Sequence, residues 1–335
     1  MPRHPAPRLV VPDAIDPAVF RSFDPEANVV QLAGETMGTS WQVRAALPAA
    51  RAGDAARLRS LIEARLGGIV AQMSHWDDSS TLSRFNQAQG GSAIRLPPDL
   101  AAVIDAGLAI ARASDGAFDP AIGRSTDAWG LGPRAVTTPP DAADLLVGKA
   151  ASGWQRLAYD AGAQTLRQPG GLWLDLSGIA KGYAVDAVAD LLDDEGVHHS
   201  LVEIGGECAG RGLRPDGDPW WVDIESPPGC ALPRLRIALH QLAVATSGDY
   251  LRGAHTLDPR TGQPAIHATT AVTVLHPRCM QADAWATALS VVDLPQAMDM
   301  ARRNALIARI VLRDGGEWIS PALAAMMEAQ DVAAA

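Results

Sequence analysis

The sequence is poor in cysteine and has no long hydrophobic run. Its three cysteines, Cys208, Cys230 and Cys279, are an odd number and include no Cys-x-x-Cys pair, so neither a disulfide framework nor a zinc knuckle is indicated. No apolar stretch approaches the roughly 18 residues that span a bilayer, so we expect no membrane span. The first residues also lack the apolar run of about 7–15 residues found in secretory signals, and we therefore expect a cytoplasmic protein.

Positive charge is scarce as well. The 335 residues include 28 Lys and Arg against 38 Asp and Glu, which gives a formal net charge of -10. Contacts to nucleic-acid phosphates need positive charge, so an acidic chain without clusters of Lys and Arg is expected not to bind nucleic acid. A phosphorylated ligand would need a local site built from helix termini, a few cations or a divalent metal.

The chain does have enough apolar residues to build a sizeable core. Hydrophobic residues make up 47% of it, which is typical of a globular protein rather than a disordered one. No repeat of about 20–50 residues and no clear linker divides it. We therefore expect one compact domain over residues 29–321, preceded by an extended or disordered arm (residues 1–28) and followed by a fraying tail (residues 322–335).

The strongest local pattern lies in the middle of the chain. Leucine occupies every second position from Leu172 to Leu176, which predicts a strand. Gly178 marks a turn, and apolar residues at helical spacing predict a helix to about Asp194. A strand that turns sharply into a helix gathers backbone N–H groups at one point, where anions bind readily. Lys181 adds a positive charge there, although an ordinary strand-turn-helix with a surface lysine would have the same pattern.

Periodicity predicts the remaining elements around this stretch. Strand patterns occur in residues 29–47, 154–159, 165–168, 200–204, 220–224, 235–239, 271–275 and 305–312. Helical patterns occur in residues 49–73, 100–111 and 281–292, with a further short helix within 133–148. Met37, flanked by Gly34 and Gly38, predicts a tight turn beside something that approaches the backbone closely, or simply a hairpin turn.

Asp283 and Thr287 lie four residues apart in a predicted helix, so their side chains point the same way. A carboxylate and a hydroxyl are hard oxygen donors that suit Mg²⁺, which keeps several waters and bridges to substrate phosphates. The alternative is a surface aspartate near a helix start and a threonine that is bonded to its own backbone.

Ser247, His255 and Asp258 lie close together in sequence among glycines. A histidine near serine and aspartate could relay protons. A Ser/His/Asp hydrolase is rejected because no Gly-x-Ser-x-Gly elbow occurs in the chain. Histidines in such loops can equally be hydrogen-bonded without a chemical role.

Seven short segments are rich in glycine, aspartate or aromatic residues. They are Met73-Ser-His-Trp-Asp-Asp78, Gly116-Ala-Phe-Asp-Pro120, Asp175-Leu-Ser-Gly-Ile-Ala-Lys-Gly-Tyr-Ala-Val-Asp186, Gly205-Gly206, Thr246-Ser-Gly-Asp-Tyr250, His255-Thr-Leu-Asp-Pro-Arg-Thr-Gly262 and Ala282-Asp-Ala-Trp-Ala-Thr287. In this order they resemble the ApbE family of FAD:protein FMN transferases, and the resemblance covers roughly residues 29–320. It implies a single α+β domain with a mixed, largely antiparallel sheet, packed helices and a cleft for flavin.

The resemblance also implies the ligand contacts. Residues that match FAD contacts of the family are Met37, Trp76, Ala117, Phe118, Asp119, Asp175, Lys181 and Leu257. Mg²⁺ would be held by the backbone carbonyl of Gly178 and by the side chains of Asp283 and Thr287. The chain departs from the family at three positions: Trp76 replaces a more usual tyrosine, Gly178 stands where many members have alanine, and Ala286 stands where some members carry a second aspartate.

The reaction that the resemblance implies moves FMN from FAD to a serine or threonine hydroxyl of a target flavoprotein and releases AMP. Mg²⁺ and Lys181 would neutralise charge on the diphosphate. The attacking hydroxyl needs a base, for which His255 is the candidate, supported by Asp258 or Asp249. Two alternatives stay open: the site could hydrolyse FAD to FMN and AMP, or the chain could be a non-catalytic FAD-binding protein.

Overall fold

The computed structural model describes residues 6–12, 14–134, 136–224, 226–249 and 256–328. Its helices are α1 (Ala55–Met73), α2 (Thr81–Gln87), α3 (Pro98–Ala113), α4 (Gly123–Ala128), α5 (Ala142–Ala151), α6 (Ala180–Asp194), α7 (Cys279–Val291), α8 (Leu294–Arg303) and α9 (Pro321–Glu328). Its strands are β1 (Arg8–Val10), β2 (Asn28–Thr36), β3 (Thr39–Leu47), β4 (Ala93–Arg95), β5 (Ala158–Asp160), β6 (Thr165–Arg167), β7 (Ser200–Ile204), β8 (Glu207–Arg211), β9 (Trp220–Ile224), β10 (Leu235–Leu239), β11 (Gln241–Gly248), β12 (Leu257–Asp258), β13 (Gln263–Pro264), β14 (Thr269–His276), β15 (Ile307–Leu312) and β16 (Glu317–Ile319). Short 3₁₀ helices cover Pro17–Arg21, Ala49–Asp54 and Trp154–Arg156.

An eight-stranded sheet organises the fold. Its strand order is β16-β15-β14-β11-β8-β7-β3-β2, and every neighbouring pair is antiparallel. A smaller sheet, β1-β10-β9, combines a parallel and an antiparallel pair. The predicted α+β class with a mixed, largely antiparallel sheet is therefore confirmed. None of the helices described is long and apolar enough to cross a membrane.

The large sheet is covered on both faces. Alternate side chains of its central strands face opposite ways, as the pleat of a strand requires. Val272 and Val274 join the larger core, which also contains apolar residues of α1, α3, α6 and α7. Val244 and Leu275 join a second core with the small sheet and α9. Both faces of the sheet are therefore occupied largely by apolar packing.

Both ends of the described chain pack more closely than the sequence predicts. In the predicted arm, β1 pairs in parallel with β10 and buries Val10. In the predicted tail, α9 buries Leu323 and Met326 in the second core. Residues 8–10 of the predicted extended or disordered arm form a paired strand, and residues 322–328 of the predicted tail belong to a packed helix, because tertiary burial stabilises short elements that are marginal alone. Residues 329–335 lie outside the described residues.

Residues 172–176 alternate between buried and partly buried positions, as their sequence alternation predicts, but they form no strand, so the predicted strand is wrong. Side-chain amides take the place of a partner strand. Gln168 Oε1 accepts from the N–H of Leu172 at 3.1 Å, and its Nε2 donates to the Leu172 carbonyl at 2.9 Å. Asn86 bonds Leu174 in the same way, at 2.7 and 3.0 Å. The backbone groups are satisfied, but by partners that periodicity cannot indicate.

Helices α6 and α7 cross at very short distance. A methyl group at Gly182 would collide with the carbonyl oxygen of Cys279 and would lie 2.8 Å from Cβ of Asp283. The lack of a side chain at Gly182 therefore lets the two helices touch. This contact decides how closely Lys181 and Asp283 can approach one another.

We predict that Gly182→Ala forces α6 away from α7 and lowers the free energy of unfolding by about 1–3 kcal/mol, the usual cost of overpacking. Gly67→Ala is the matched control, because a methyl group at Gly67 in α1 would meet nothing within 4 Å. Alanine there should stabilise the helix by about 0.5–1 kcal/mol. Chemical denaturation measures both changes, and equal stability of the two variants would contradict the close crossing.

Candidate active site

Two aspartates tie the starts of α6 and α7 together. Asp283 of α7 accepts a hydrogen bond from the backbone N–H of Gly182, in the first turn of α6, at 2.9 Å. Asp186 of α6 accepts from the N–H groups of Cys279 and Met280, in the first turn of α7, at 2.8 and 2.9 Å. Neither helix has a capping side chain at its own N-cap residue. Each helix therefore satisfies N–H groups of the other, with a carboxylate at the positive end of the dipole.

The predicted metal ligands meet at this place. Thr287 lies one turn after Asp283 in α7, and a methyl group at Gly178 would be 2.9 Å from the Thr287 hydroxyl oxygen. Ser247, near the end of β11, lies 3.3 Å from the same hydroxyl, Oγ to Oγ1. The turn before α6 is therefore in direct contact with the face of α7 that carries both predicted side-chain ligands.

A carbonyl, a hydroxyl and a single carboxylate are a donor set that suits Mg²⁺ rather than a softer metal. Among the residues that the structure describes, no group of three or more His, Cys, Asp or Glu side chains could hold a metal. A cation bound here would therefore depend on the hydroxyl of Thr287 and the backbone of Gly178 as well as on Asp283.

Lys181 and Glu207 form an ion pair beside Asp283. Lys181 Nζ contacts Oε1 of Glu207, whereas Oε2 of Glu207 is buried without a partner in the described part of the chain. Burial and then the charge of Asp283 raise the pKa of Glu207 to about 7, against the opposing effect of Lys181. Burial also raises the pKa of Asp283, while Lys181 and the Gly182 N–H oppose that rise. Two ionised carboxylates beside one ammonium would leave excess negative charge, which a cation would offset.

The β2–β3 turn borders this cluster and confirms the predicted tight turn. Met37 and Gly38 form a two-residue connection with φ of 50° and 71°. A positive φ costs a non-glycine residue about 1–2 kcal/mol, so its surroundings hold Met37 in place. Thr39 Cγ2 lies 3.0 Å, and Glu207 Oε2 3.5 Å, from the position that a Cβ of Gly205 would occupy.

The segment Ala117-Phe118-Asp119, which is predicted to contact FAD, also lies next to Gly178. Ring carbon Cε2 of Phe118 is 3.4 Å from the position of a Cβ at Gly178. Ala117 and Phe118 are buried in the larger core. Ala117 and Phe118 therefore form an apolar surface next to the predicted metal ligands.

Asp119 is bonded to the backbone through both carboxylate oxygens. Oδ1 accepts from the N–H of Ala121 at 2.7 Å, and Oδ2 accepts from the N–H of Trp154 at 3.0 Å. Burial raises the pKa of Asp119 to about 6, although both hydrogen bonds lower it. The neighbouring Pro120 carbonyl accepts from the N–H of Asp175 at 2.9 Å. The two hydrogen bonds of Asp119 therefore stabilise the loop that also bonds the backbone of Asp175.

A cavity of about 220 Å³ opens beside this loop, and its lining includes His75, Trp173 and Asp175. Asp175 Oδ1 accepts from the N–H and the hydroxyl of Ser177 at 2.9 and 2.6 Å. His75 Nδ1 lies 4.0 Å from the same oxygen. Trp76 is 67% exposed, with its ring centroid 5.6 Å from that of His75. The indole face is therefore available for stacking on a planar ligand, as the role predicted for Trp76 requires.

The predicted catalytic histidine, His255, lies outside the described residues. Leu257 is buried in the β12–β13 hairpin. Asp258 pairs with Arg260 through both carboxylate oxygens, at 2.8 Å each. Asp249 is also ion-paired, with an arginine in the β15–β16 connection. Both carboxylates have arginine partners, and their support of His255 stays a prediction because the histidine lies outside the described residues.

Sequence reasoning missed two residues of the site, Glu207 and Gly182. Each had a signal: Glu207 follows the Gly205-Gly206 pair at a strand end, and Gly182 is a glycine within a predicted helix, where a packing reason is common. Among the predicted residues of the described chain, contacts around the start of α6 join Phe118, Gly178, Lys181, Asp283 and Thr287.

The chain is similar to known proteins over most of its length. The sequence model of the ApbE family matches residues 37–310. The FAD:protein FMN transferase of Haemophilus influenzae is 32% identical over 310 residues, which cover 88% of this chain and 90% of the relative. That of Escherichia coli K12 is 32% identical over 310 residues, which cover 88% of each protein.

Solved structures of flavin transferases have the same fold. The structure of flavin transferase ApbE from Vibrio cholerae matches with a TM-score of 0.84 and 34% identity, over 89% of this chain and 99% of that chain. The apo form of the flavinyl transferase ApbE from Pseudomonas stutzeri matches with a TM-score of 0.82 and 35% identity, over 90% and 97%. The chain therefore belongs to the ApbE family and is a FAD:protein FMN transferase, with FAD as a substrate and a protein as the acceptor.

Proposed function

We propose that the enzyme transfers FMN to a serine or threonine hydroxyl of an acceptor flavoprotein. The hydroxyl oxygen forms a bond to the phosphorus of the FMN part of FAD, and the bond from that phosphorus to the bridging oxygen of the diphosphate breaks. AMP leaves with the bridging oxygen, and the hydroxyl proton passes to a base. The observation that supports this chemistry most directly is the meeting of Lys181, Asp283 and Thr287 at the start of α6.

Gly178, Asp283 and Thr287 would hold Mg²⁺ in this proposal. The residues fit the ion, because Thr287 is in contact with Gly178 and the Asp283 carboxylate is oriented by the Gly182 N–H. When bound, Mg²⁺ would offset negative charge on the diphosphate. When both are ionised, Asp283 and Glu207 carry more negative charge than the Lys181 ammonium offsets, and the pKa of each is raised, so a divalent cation would be favoured over a neutral ligand at this position.

Lys181 has the place from which it can stabilise the leaving group. Lys181 belongs to the first turn of α6, where the helix dipole is positive, so its ammonium and the dipole would act on the same negative charge. The base that accepts the hydroxyl proton is proposed to be His255, because an unactivated alcohol needs one within hydrogen-bond reach. Trp76 and Met37 are proposed to contact FAD, together with Ala117 to Asp119, Asp175 and Leu257.

Asp283→Asn tests the metal site. The variant keeps the side-chain size and an oxygen that can accept from Gly182, but it loses the negative charge. We expect the transfer rate to fall about 100-fold or more, the size of effect found when one group that stabilises the transition state is removed. The measurement is fluorescence of covalent flavin on a flavoprotein domain produced without its FMN, after incubation with FAD and MgCl₂.

Asp299→Asn is the matched control for that experiment. Asp299 lies at the surface of α8, where it pairs with Arg303 at 2.8 Å, and its substitution should leave the rate unchanged. Transfer by Asp283→Asn at the wild-type rate would exclude the proposed metal site. Free FMN and AMP without a labelled acceptor, from the wild-type enzyme, would instead indicate hydrolysis of FAD.

Asp119 should make stability depend on pH. Burial raises its pKa from 3.8 to about 6, so the folded protein keeps this proton where the unfolded chain has lost it. The resulting stabilisation is fully present below pH 3.8 and is lost as the pH rises through about 6. Asp119→Asn cannot titrate, so we predict that it removes this part of the decline in the free energy of unfolding.

Urea denaturation at a series of pH values between about 4 and 7 measures the effect of Asp119. Asp299→Asn should retain the wild-type pH dependence, because its carboxylate is mostly exposed. A pH dependence that is the same in Asp119→Asn and wild type would show that the buried carboxyl does not hold its proton.

A further inference from the structure

Glu207 is an acidic residue of the site to which the proposed reaction assigns no role. It is the first residue of β8, directly after the Gly205-Gly206 turn, and it is 4% exposed. Acidic side chains are seldom buried to this extent unless they are paired. A role in the site would explain why a carboxylate is buried at this position.

The partner of Glu207 is Lys181, which comes from a different element. A lysine ammonium sits on a flexible stem of four carbons, so a position in the first turn of α6 does not by itself decide where the charge lies. Contact with Oε1 of a carboxylate on the rigid start of β8 restricts the ammonium to one side of the site. The ion pair thus converts a mobile charge into a fixed one.

The pair is poorly arranged for stability alone. Oε2 of Glu207 is buried without a partner in the described chain, and Asp283, which has the same charge, lies close enough to raise the pKa of Glu207. Buried ion pairs contribute to stability only when their remaining oxygens are satisfied. An ion pair that contributes little to stability and lies next to the start of α6 is more consistent with a role in placing charge near a ligand.

We propose that Glu207 is a positioning residue, which holds the Lys181 ammonium at the diphosphate of FAD. The proposal rests on the proposed transfer reaction and adds a residue to it. Glu207 does not touch the reacting atoms, and it acts through Lys181. Its loss should therefore change both the titration of Lys181 and the rate of the chemical step.

The lysine content of the chain allows a direct test. The chain contains two lysines, Lys149 and Lys181, so lysine labelled with ¹³C at Cε gives one signal from each. Lys149 is exposed on α5 and is the internal reference. In Glu207→Gln, which keeps the side-chain size but loses the charge, the pKa of Lys181 should fall by about 1 or more. The signal of Lys149 should titrate as in the wild type.

Other titratable groups near Glu207 do not confuse this measurement. Asp283 stays in both proteins, so its charge acts on Lys181 in both. Burial raises the pKa of the Cys208 and Cys279 thiols, which lie in the same region, well above the ordinary value. These thiols therefore remain protonated across the range in which the two proteins are compared.

Kinetics supply the second measurement. In Glu207→Gln, kcat should fall about 10- to 100-fold, as expected when a charged group moves by about 1 Å. The alkaline limb of its pH profile should move to lower pH with the pKa of Lys181. Glu207→Asp, which keeps the charge on a shorter stem, should recover part of the rate and of the Lys181 titration.

Glu203→Gln is the matched control, because Glu203 lies across the same turn and accepts from the Gly206 N–H at 2.8 Å. Glutamine can keep that hydrogen bond, so the rate and the Lys181 signal should be unchanged. An unaltered Lys181 titration in folded Glu207→Gln would overturn the proposal, as would an unaltered kcat. If the wild-type enzyme transferred no FMN, the proposed function would fail, while the lysine titration would still show whether Glu207 controls Lys181.

Discussion

The reciprocal capping of α6 and α7 is the interaction on which the site depends. Each helix starts without a capping side chain of its own and receives one from the other, Asp283 for α6 and Asp186 for α7. Gly182 allows the backbones to approach closely enough for this exchange. The Asp283 carboxylate therefore both caps α6 and belongs to the charged cluster with Lys181 and Glu207, so one group serves the fold and the site.

Periodicity predicted most of the fold, because buried residues recur at the strand period in the large sheet and at the helix period in α1, α3, α6 and α7. It failed where a distant partner decides the structure. Residues 172–176 alternate like a strand, yet their hydrogen bonds go to the side chains of Gln168 and Asn86 and to the backbone of residues 120–123. The strand β1 and the helix α9 are too short to be specified locally, and they exist because they cover the second core.

The residues of the site also divide into those that local spacing predicts and those that it does not. The four-residue spacing of Asp283 and Thr287 was sufficient to place them on one face of α7, since helix geometry is local. Gly178 could be named as a ligand only through the resemblance to a family, because its contact with Thr287 crosses the fold. The pairing of Glu207 with Lys181 joins a strand to a helix, and no spacing rule predicts such a contact.

The amide-held segment at residues 172–176 has a consequence for how this cleft can change. A strand inside a sheet shares its hydrogen bonds with neighbouring strands, whereas this segment bonds to the side chains of Gln168 and Asn86 and to the backbone of residues 120–123. None of these partners belongs to the eight-stranded sheet, so the wall that carries Asp175 can be altered without breaking a hydrogen bond of that sheet. New acceptor or nucleotide preferences could arise by reshaping that wall while the scaffold stays intact.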